Sequence, residues 1–194
     1  PAPRDEDQLK ALGAAAASSG AVGLFHAVGI TPEARSLAEA FHGHEPETVI
    51  DVTPGNVASA LRGLSTVADG AELSAVCLGT PHFSRAEWER LVALMRDIAP
   101  SRGIPIYVNT GRATLEGLER DGLIEGLTES GLVVVTDTCT YVTAILEELD
   151  GVVMTNSGKW AHYAPGNIGV RVAFAELADC ILSAARGRVT RATS

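Results

Sequence analysis

The feature of this chain that most constrains its fold is a regular alternation of short apolar runs with segments of helical character. Seven runs predict strands, at 21–28, 48–52, 73–78, 104–108, 132–135, 152–154 and 170–174. They are apolar throughout, which is typical of strands covered on both faces. Helices are predicted at 5–18, 32–43, 54–64, 85–99, 113–120, 123–130, 143–149 and 176–185. We therefore expect an α/β fold with three αβα layers and a mainly parallel sheet, in which 102–105 is the best boundary if there are two βαβ lobes.

Three of the predicted helices begin with recognisable capping sequences. Thr31 and Thr53 each precede a proline, and proline is favoured at the first helical position. Ser84 and Glu87 form a capping box, in which each side chain can accept a hydrogen bond from a free N–H group at the start of the helix. These residues predict where the helices after the first three strands start.

Composition and charge argue against several classes of protein. The 194 residues are 46% hydrophobic and 20% charged, which is typical of a globular chain with ample core. A net charge of -9 disfavours nucleic acid or an anionic membrane surface as a partner. No apolar run approaches the roughly 20 residues of a membrane span. The three cysteines lack Cys-x-x-Cys spacing, so we expect reduced thiols and a cytoplasmic protein.

The polar segment 155–166, which follows the predicted strand 152–154, is the first candidate for a functional site. Ligands of open α/β sheets bind outside the carboxyl ends of the strands. We interpret this segment as a loop rich in hydrogen-bonding side chains: Asn156, Ser157, Lys159, His162 and Tyr163. The alternative is an ordinary polar turn with an exposed lysine and a surface tyrosine.

Four other strand ends carry similar loops. They lie at 26–33, 79–84, 109–112 and 137–139. Because parallel strands end at the same edge of a sheet, polar groups from all of these loops can converge. No Gly-x-Gly-x-x-Gly motif, Walker phosphate loop, Gly-x-Ser-x-Gly elbow or His-Glu-x-x-His motif is present. The sequence therefore gives little support to nucleotide binding.

The cysteines and histidines at or near these loops leave several roles open. Cys139 follows a predicted strand and fits either a small buried side chain or a nucleophile or metal ligand. Cys77 lies inside a predicted strand and Cys180 in the apolar stripe of a helix, so composition favours burial of both. His26 and His82 lie in two of the loops, where a general-acid or hydrogen-bonding role is plausible.

Four motifs occur in an order that carries a specific resemblance. They are Leu24-Phe25-His26-Ala27-Val28-Gly29-Ile30-Thr31-Pro32-Glu33-Ala34, Leu78-Gly79-Thr80-Pro81-His82-Phe83-Ser84, Asp137-Thr138-Cys139 and Thr155-Asn156-Ser157-Gly158-Lys159-Trp160-Ala161-His162-Tyr163-Ala164-Pro165-Gly166. Together they resemble the aconitase X family, specifically the carboxyl-terminal half of its large catalytic region. The resemblance covers residues 8–188 and implies an aconitase-like domain.

The resemblance implies a dehydratase that uses an iron–sulfur cluster as a Lewis acid. One branch of the family dehydrates cis-3-hydroxy-L-proline, and the other dehydrates mevalonate 5-phosphate. Archaeal members tend to have Gly-Cys-Pro-His where this chain has Gly79-Thr80-Pro81-His82, which favours the hydroxyproline branch here. By the same resemblance we expect a two-iron cluster, with Cys139 as the first candidate ligand and Cys180 as the second.

The resemblance also suggests roles for the polar residues of the loops. We predict a catalytic role for Lys159, Ser157 and His82, in which Lys159 pairs with the substrate carboxylate or donates a charged hydrogen bond. The predicted substrate-binding residues are His26, Thr31, Thr80, Asn156 and Tyr163. The alternative for each is a hydrogen bond that only fixes its loop. The general base is left unassigned.

Some parts of the family's enzymes do not appear in this sequence. They are the earlier half, which includes a Thr-Cys-Thr-Pro-Tyr motif expected to supply a cluster cysteine, and the small swivelling domain that closes over the substrate. We therefore interpret 1–194 as one catalytic-region domain, a fragment of a longer enzyme, with little or no activity alone. The alternatives are a large-subunit domain of a mevalonate 5-phosphate dehydratase, a non-catalytic α/β binding domain, and a different lyase or acyl-transfer enzyme with Cys139 as nucleophile.

Overall fold

Five parallel strands form one sheet at the centre of the fold. A computed structural model describes residues 5–100, 103–146 and 151–192. The strands are β1 (Leu73–Phe83), β2 (Ile106–Thr110), β3 (Leu132–Thr136), β4 (Val152–Thr155) and β5 (Arg171–Phe174). Their order is β3-β2-β1-β4-β5, and every neighbouring pair is parallel. The predicted α/β fold with a parallel sheet is therefore confirmed.

Helices cover both faces of this sheet. They are α1 (Glu6–Gly20), α2 (Leu37–Ala40), α3 (Pro54–Gly63), α4 (Arg85–Ile98), α5 (Arg112–Arg120), α6 (Gly158–Ile168) and α7 (Leu177–Arg186), with a 3-10 helix at Leu127–Ser130. Helices α4, α5 and α7 pack on one face, and α6 packs on the other with the connection that follows β3. The connections from β1 to β2 and from β4 to β5 run in opposite directions, so the right-handed rule for such connections expects α4 and α6 on opposite faces.

Neighbouring residues of β1 show how the sheet separates the two cores. Leu78 packs with Trp88 and Ile181 in the core beneath α4 and α7. Cys77 points to the opposite face and packs with Trp160 beneath α6. Successive strand residues alternate between faces, so an apolar run is buried throughout only where both faces are covered.

Two of the three capping sequences, those at Thr53 and Ser84, form the helix starts that they predict, whereas no helix begins after Thr31 because α2 starts only after Ser36. Ser84 Oγ accepts a hydrogen bond from the Glu87 amide at 3.2 Å, and a Glu87 carboxylate oxygen accepts one from the Ser84 amide at 2.8 Å. Thr53 and Asn56 make the same reciprocal pair at the start of α3. Because Ser84 directly follows β1, its capping box fixes where the chain leaves the sheet.

Two of the predicted strands, 21–28 and 48–52, are not strands. Both are irregular, and the apolar side chains of the second lie in solvent: Val49 is 75% exposed and Ile50 is 78% exposed. An apolar run forms a strand only where a neighbouring strand pairs with its backbone. The described residues place no such partner beside 21–28 or 48–52.

Three predicted helices are also wrong in whole or part. The helix predicted at 32–43 is reduced to the single turn α2, whose first residue Leu37 is 65% exposed and has no core to pack against. The helix predicted at 123–130 is interrupted by Gly126, which has φ +76° and leaves only a 3-10 turn. Of the helix predicted at 143–149, residues 143–146 are not helical and the remainder lies outside the described residues.

The segment 155–166 is mostly helix α6, so its interpretation as a loop is wrong. Ser157 caps α6, and apolar residues at helical spacing, Trp160, Ala161 and Ala164, are buried against the sheet. Pro165 lies inside the helix, close to its end. Ser157 and Lys159 misled the prediction because they occupy the cap and first turn, where helices commonly carry polar groups, while His162 and Tyr163 follow in the second turn.

The carboxyl-terminal tail is packed as far as residue 192. Val189 is 1% exposed. Its amide donates to the Ala71 carbonyl at 2.8 Å, and its carbonyl accepts from the Gly70 amide at 2.8 Å. The suggested lobe boundary at 102–105 falls between α4 and β2 and stays a prediction. None of the described helices is long and apolar enough to cross a membrane.

Candidate active site

The strand order places a crevice at the carboxyl ends of β1 and β4. From β1 the chain winds outward through β2 to β3, then returns to the other side of β1 and continues through β4 to β5. In open parallel sheets, ligands bind where the winding direction reverses in this way. The motif at Gly79–Ser84 and the residues that follow β4 therefore meet at the expected binding edge.

Ser157 joins the ends of these two central strands. Its hydroxyl donates to the Thr80 carbonyl of β1 and accepts from the Trp160 amide at 3.0 Å. Its own amide donates to Thr155 Oγ1 at 3.1 Å. These bonds cap α6 and place Lys159 in its first turn, next to the crevice. Two residues predicted for the site, Ser157 and Thr80, are thus brought together from distant parts of the chain, and Lys159 follows in the first turn of the helix that Ser157 caps.

His82 connects the end of β1 to the connection that follows β3. Its Nε2 lies 3.1 Å from the Thr138 carbonyl, so Nε2 carries the donated proton. Thr138 Oγ1 is also 2.6 Å from Thr143 Oγ1. Since Thr138 precedes Cys139, these contacts hold the predicted metal-ligating cysteine beside the end of β1.

Asp137 anchors the other side of the same connection. Its carboxylate accepts hydrogen bonds from the Arg112 amide at 3.0 Å and from Arg112 Nε at 3.1 Å. The Arg112 amide bond, together with the positive charge of Arg112, lowers the pKa of Asp137. The carboxylate therefore stays charged and bound to Arg112. This contact holds the backbone two residues before Cys139.

Helix α1 lies across the crevice. Lys10 Nζ donates to the His82 carbonyl at 3.0 Å and forms ion pairs with Asp7 and Glu87. Asp7 also accepts from Ser84 Oγ at 2.9 Å. Hydrogen bonds from Lys10 and Ser84 lower the pKa of Asp7, although partial burial opposes them. The start of α1 is thereby fastened to the junction of β1 and α4.

Two cavities open near the two ends of α1. A cavity of about 300 Å³ near its start is lined by Asn156, Asp7, Phe83 and Glu176 among others. A second, of about 360 Å³ near its end, is lined by Lys159, Tyr141 and Tyr163, with Ala17, Ser18 and Asn167. The predicted site residues thus divide between the two cavities.

The second cavity has a wall of two stacked tyrosines. The rings of Tyr141 and Tyr163 lie 5.6 Å apart at an angle of 21°. Burial raises the pKa of Tyr141, and the nearby thiol of Cys139 and phenol of Tyr163 add to the effect. Tyr141 therefore remains a neutral hydrogen-bond donor between the cysteine and the cavity that holds Lys159.

His26 and Thr31 lie in the irregular segment between α1 and α2. Both are half-buried. The amide and hydroxyl of Thr31 both donate to the Ala27 carbonyl, at 2.9 Å and 3.3 Å, which closes a local turn. Their predicted roles in substrate binding stay predictions.

Comparison with family models identifies the protein family of this chain. A family model described as "Aconitase X third domain" matches residues 73–186, which contain the whole sheet. A second model, "Aconitase X second domain", matches residues 1–62. The chain belongs to the aconitase X family.

The relatives of this aconitase X chain are dehydratases. It is 38% identical over 183 residues to a cis-3-hydroxy-L-proline dehydratase of Hypocrea jecorina, covering 93% of this chain and 31% of the relative. It is 37% identical over 164 residues to a phosphomevalonate dehydratase large subunit of Methanothermobacter thermautotrophicus, covering 84% of this chain and 39% of the relative. The chain thus spans less than half the length of the curated relatives it matches.

A solved aconitase X structure has the same fold. The holo-form crystal structure from Thermococcus kodakaraensis superposes with a TM-score of 0.78 over 94% of this chain and 45% of that chain, at 24% identity. The expectation of an aconitase-like α/β domain is therefore confirmed.

The three cysteines of this aconitase X chain differ in how accessible their thiols are, and iron–sulfur clusters are held by cysteine thiolates. Cys139 is half-buried, whereas Cys77 and Cys180 are fully buried. Burial raises the pKa of Cys77 to about 12, partly offset by a hydrogen bond from Thr140. Burial and nearby acidic groups also raise the pKa of Cys180. Within the described residues, no group of three or more His, Cys, Asp or Glu side chains could hold a metal.

Three residues that contribute to the crevice of this aconitase X chain were missed as individual site candidates. Asn109, at the end of β2, contacts the end of β1. A polar residue that ends a buried apolar strand is a signal that could have identified it. Lys10 and Tyr141 had no such signal, because their positions depend on how α1 and the connection after β3 lie across the sheet edge.

Proposed function

We propose that this chain forms part of a hydro-lyase that removes water from a β-hydroxy carboxylate, with cis-3-hydroxy-L-proline as the substrate. The observation that carries the proposal is the hydrogen bond of Ser157 to Thr80, which joins the two central strand ends and places Lys159 at the crevice. The dehydratase relatives on both branches support the reaction class.

Lys159 is the residue that we assign to the substrate carboxylate. It lies in the first turn of α6, and the amino-terminal end of a helix also favours a negative charge. Tyr163 lines the same cavity, and Tyr141 presents a neutral phenol beside it. Asn156 and Thr80 lie at the neighbouring strand ends, where we assign them to the polar groups of the substrate, together with His26 and Thr31 from the preceding segment.

Ser157 and His82 have hydrogen bonds that limit what they can do. The Ser157 hydroxyl donates to a carbonyl, so in this arrangement it holds the site together and does not act as a base. His82 donates through Nε2 to Thr138, which leaves Nδ1 as the nitrogen that can accept a proton. We therefore propose His82 as the proton-transferring group of this chain and Ser157 as a positioning residue.

Cys139 is the cluster ligand that we propose for this chain. Its half-buried thiol is held by the bonded loop of Asp137 and Thr138, so it can become a ligand without opening the core. When bound, an iron–sulfur cluster supplies a Lewis-acidic iron that polarises the leaving hydroxyl. Cys180 stays a predicted second ligand, although its thiol is fully buried within 3.9 Å of the Ala175 carbonyl. The two-iron count and the cytoplasmic location also stay proposals.

The test is anaerobic reconstitution of the full-length protein that contains this chain, with iron and sulfide, followed by a dehydration assay. We expect a coloured protein that dehydrates cis-3-hydroxy-L-proline, and loss of both colour and activity in Cys139→Ser. Cys77→Ser is the matched control and should keep both. Cys180→Ser shows whether the second predicted ligand is needed. Retention of the cluster in Cys139→Ser would disprove the ligand assignment.

The second candidate substrate is mevalonate 5-phosphate. The 37% identity to the Methanothermobacter large subunit, close to the 38% for the hydroxyproline enzyme, is the observation that favours it. The same reconstituted protein distinguishes the two substrates when each is supplied alone. A folded protein that holds no cluster and turns over neither substrate would instead support the non-catalytic binding domain.

A further inference from the structure

Asn109 holds the end of β1 through two hydrogen bonds, one to each of the residues that flank Gly79. Its Nδ2 donates to the Leu78 carbonyl at 3.1 Å and to Thr80 Oγ1 at 3.0 Å. Asn109 and Leu78 are fully buried, and Thr80 is 2% exposed. One amide group thus fixes the backbone and side chain of the strand that delivers the site motif.

The backbone of β1 needs this support because it leaves the regular ladder at that point. The parallel register with β2 shifts between Leu78 and Phe83. Gly79 has φ +77°, and a Cβ built there would lie 2.9 Å from the Asn109 amide nitrogen and still closer to its carbonyl oxygen. Only a glycine fits here, because the left-handed backbone would direct a Cβ into β2, and the Asn109 side chain supplies hydrogen bonds where the regular pairing is interrupted.

The orientation of the Asn109 amide is fixed by its partners. Rotation of the amide by 180° would place Oδ1 against the Leu78 carbonyl, and two acceptors cannot bond to each other. In the observed orientation Oδ1 has no hydrogen-bond partner within the described residues. A buried acceptor without a partner is unfavourable, so the unpaired Oδ1 calls for an explanation. The two bonds to β1 give that explanation.

The same bonds lead directly to the candidate site. Thr80, held by Asn109, offers the carbonyl that accepts the Ser157 hydroxyl, and Ser157 caps the helix that carries Lys159. We propose that Asn109 is a positioning residue of the dehydratase site, which sets Thr80 so that the first turn of α6 presents Lys159 to the substrate. The inference rests on the proposed function.

The experiment compares Asn109→Asp with Asn56→Asp in the full-length protein. Asn109→Asp keeps the shape but cannot donate, whereas Asn56 is exposed and accepts through Oδ1, which an aspartate retains. For Asn109→Asp we expect kcat per loaded cluster to fall by about tenfold or more, with KM within about threefold, because small misplacements of binding groups act on the transition state. Asn56→Asp should match the parent.

Amide hydrogen exchange supplies the readout that a general loss of stability would not reproduce. We expect faster exchange in residues 156–161 of Asn109→Asp, and no change in α4 on the opposite face. Equal acceleration in both segments, or an unchanged kcat, would overturn the proposal. If the parent has no dehydratase activity, the proposed function fails, and the exchange comparison still shows whether Asn109 controls α6.

Thr80→Val provides a second variant that leaves Asn109 intact. It removes the hydroxyl acceptor without changing the side-chain shape, and we expect the same direction of change in kcat and in exchange at 156–161. Because the two residues act through one hydrogen bond, the double variant should be no worse than the more severe single variant. Additive losses would show that Asn109 does not act through Thr80. Thr80→Ser, which keeps the acceptor, should restore most of kcat.

Discussion

The sheet region, residues 73–189, and the exposed segment, residues 21–53, contain similar apolar runs with opposite fates. Val153 in β4 is fully buried between α-helical layers, whereas Val49 is 75% exposed in an irregular stretch. Both lie in runs that predict a strand. The difference shows that an apolar run does not by itself determine whether its side chains are buried. Burial also requires neighbouring strands and helices that cover the run.

The largest expected effect comes from the closest contact in the sheet region. We expect Gly79→Ala to destabilise the chain by about 4 kcal/mol or more, because its Cβ would overlap the Asn109 backbone and its φ is left-handed. Chemical denaturation measures the loss. Gly117→Ala is the control, since nothing lies within 4 Å of the added Cβ and the position is helical. An unchanged midpoint for Gly79→Ala would contradict the described contact.

Alkaline pH should weaken the sheet region through Cys77. Burial raises the pKa of this thiol from 9.0 to about 12, so above pH 9 the unfolded state loses the proton while the folded state keeps it. The free energy of unfolding should therefore fall by about 1.4 kcal/mol per pH unit between these values as a result of this group. Denaturation at several pH values measures the slope.

The control for this slope is a neighbouring residue of β1 without a titratable group. Cys77→Ala should remove the contribution of the thiol to the pH dependence of the free energy of unfolding. Val76→Ala should lower that free energy equally at every pH. If the slope of Cys77→Ala between pH 9 and 11 equals that of the parent, the thiol is not held protonated by burial.

A matched pair of substitutions compares the two regions directly. Val153→Ala should destabilise the chain by about 2 kcal/mol, from lost apolar burial and the cavity that remains. Val49→Ala should change stability by less than about 0.5 kcal/mol, since its side chain is already in solvent. Thermal or chemical unfolding of this chain measures both. Equal losses would mean that residues 48–52 are packed in solution.

The same comparison explains how much could be predicted from the sequence. The strands at β1 to β5 were predictable because their runs are apolar and are followed by helix signals, of which Ser84 with Glu87 is the strongest. The exposed runs 21–28 and 48–52 carry the same local signal. They fail to form strands because no strand among the described residues pairs with them, and a local pattern does not contain that information.

The candidate site was predictable in its location but less so in its details. Polar residues after apolar strands, such as Ser157 and His82, indicated the carboxyl edge of the sheet. The strand order that brings β1 beside β4 was not predictable, and neither was the position of Lys10 on α1. Both depend on contacts between residues far apart in the chain. Asn109 is an intermediate case. The sequence indicates that it lies in a strand-end loop, but not that its side chain binds β1.

The smallest expected effects concern two capping boxes. One starts α4, which packs on the sheet, and the other starts the exposed helix α3. Ser84→Ala should destabilise the chain by about 1 kcal/mol, because α4 is packed on the sheet and its start is part of the cooperative fold. Thr53→Ala removes an equivalent cap from α3, which contains no buried residue, so we expect no change in global unfolding and faster amide exchange confined to 54–63. A global loss from Thr53→Ala equal to that from Ser84→Ala would show that α3 unfolds together with the sheet region.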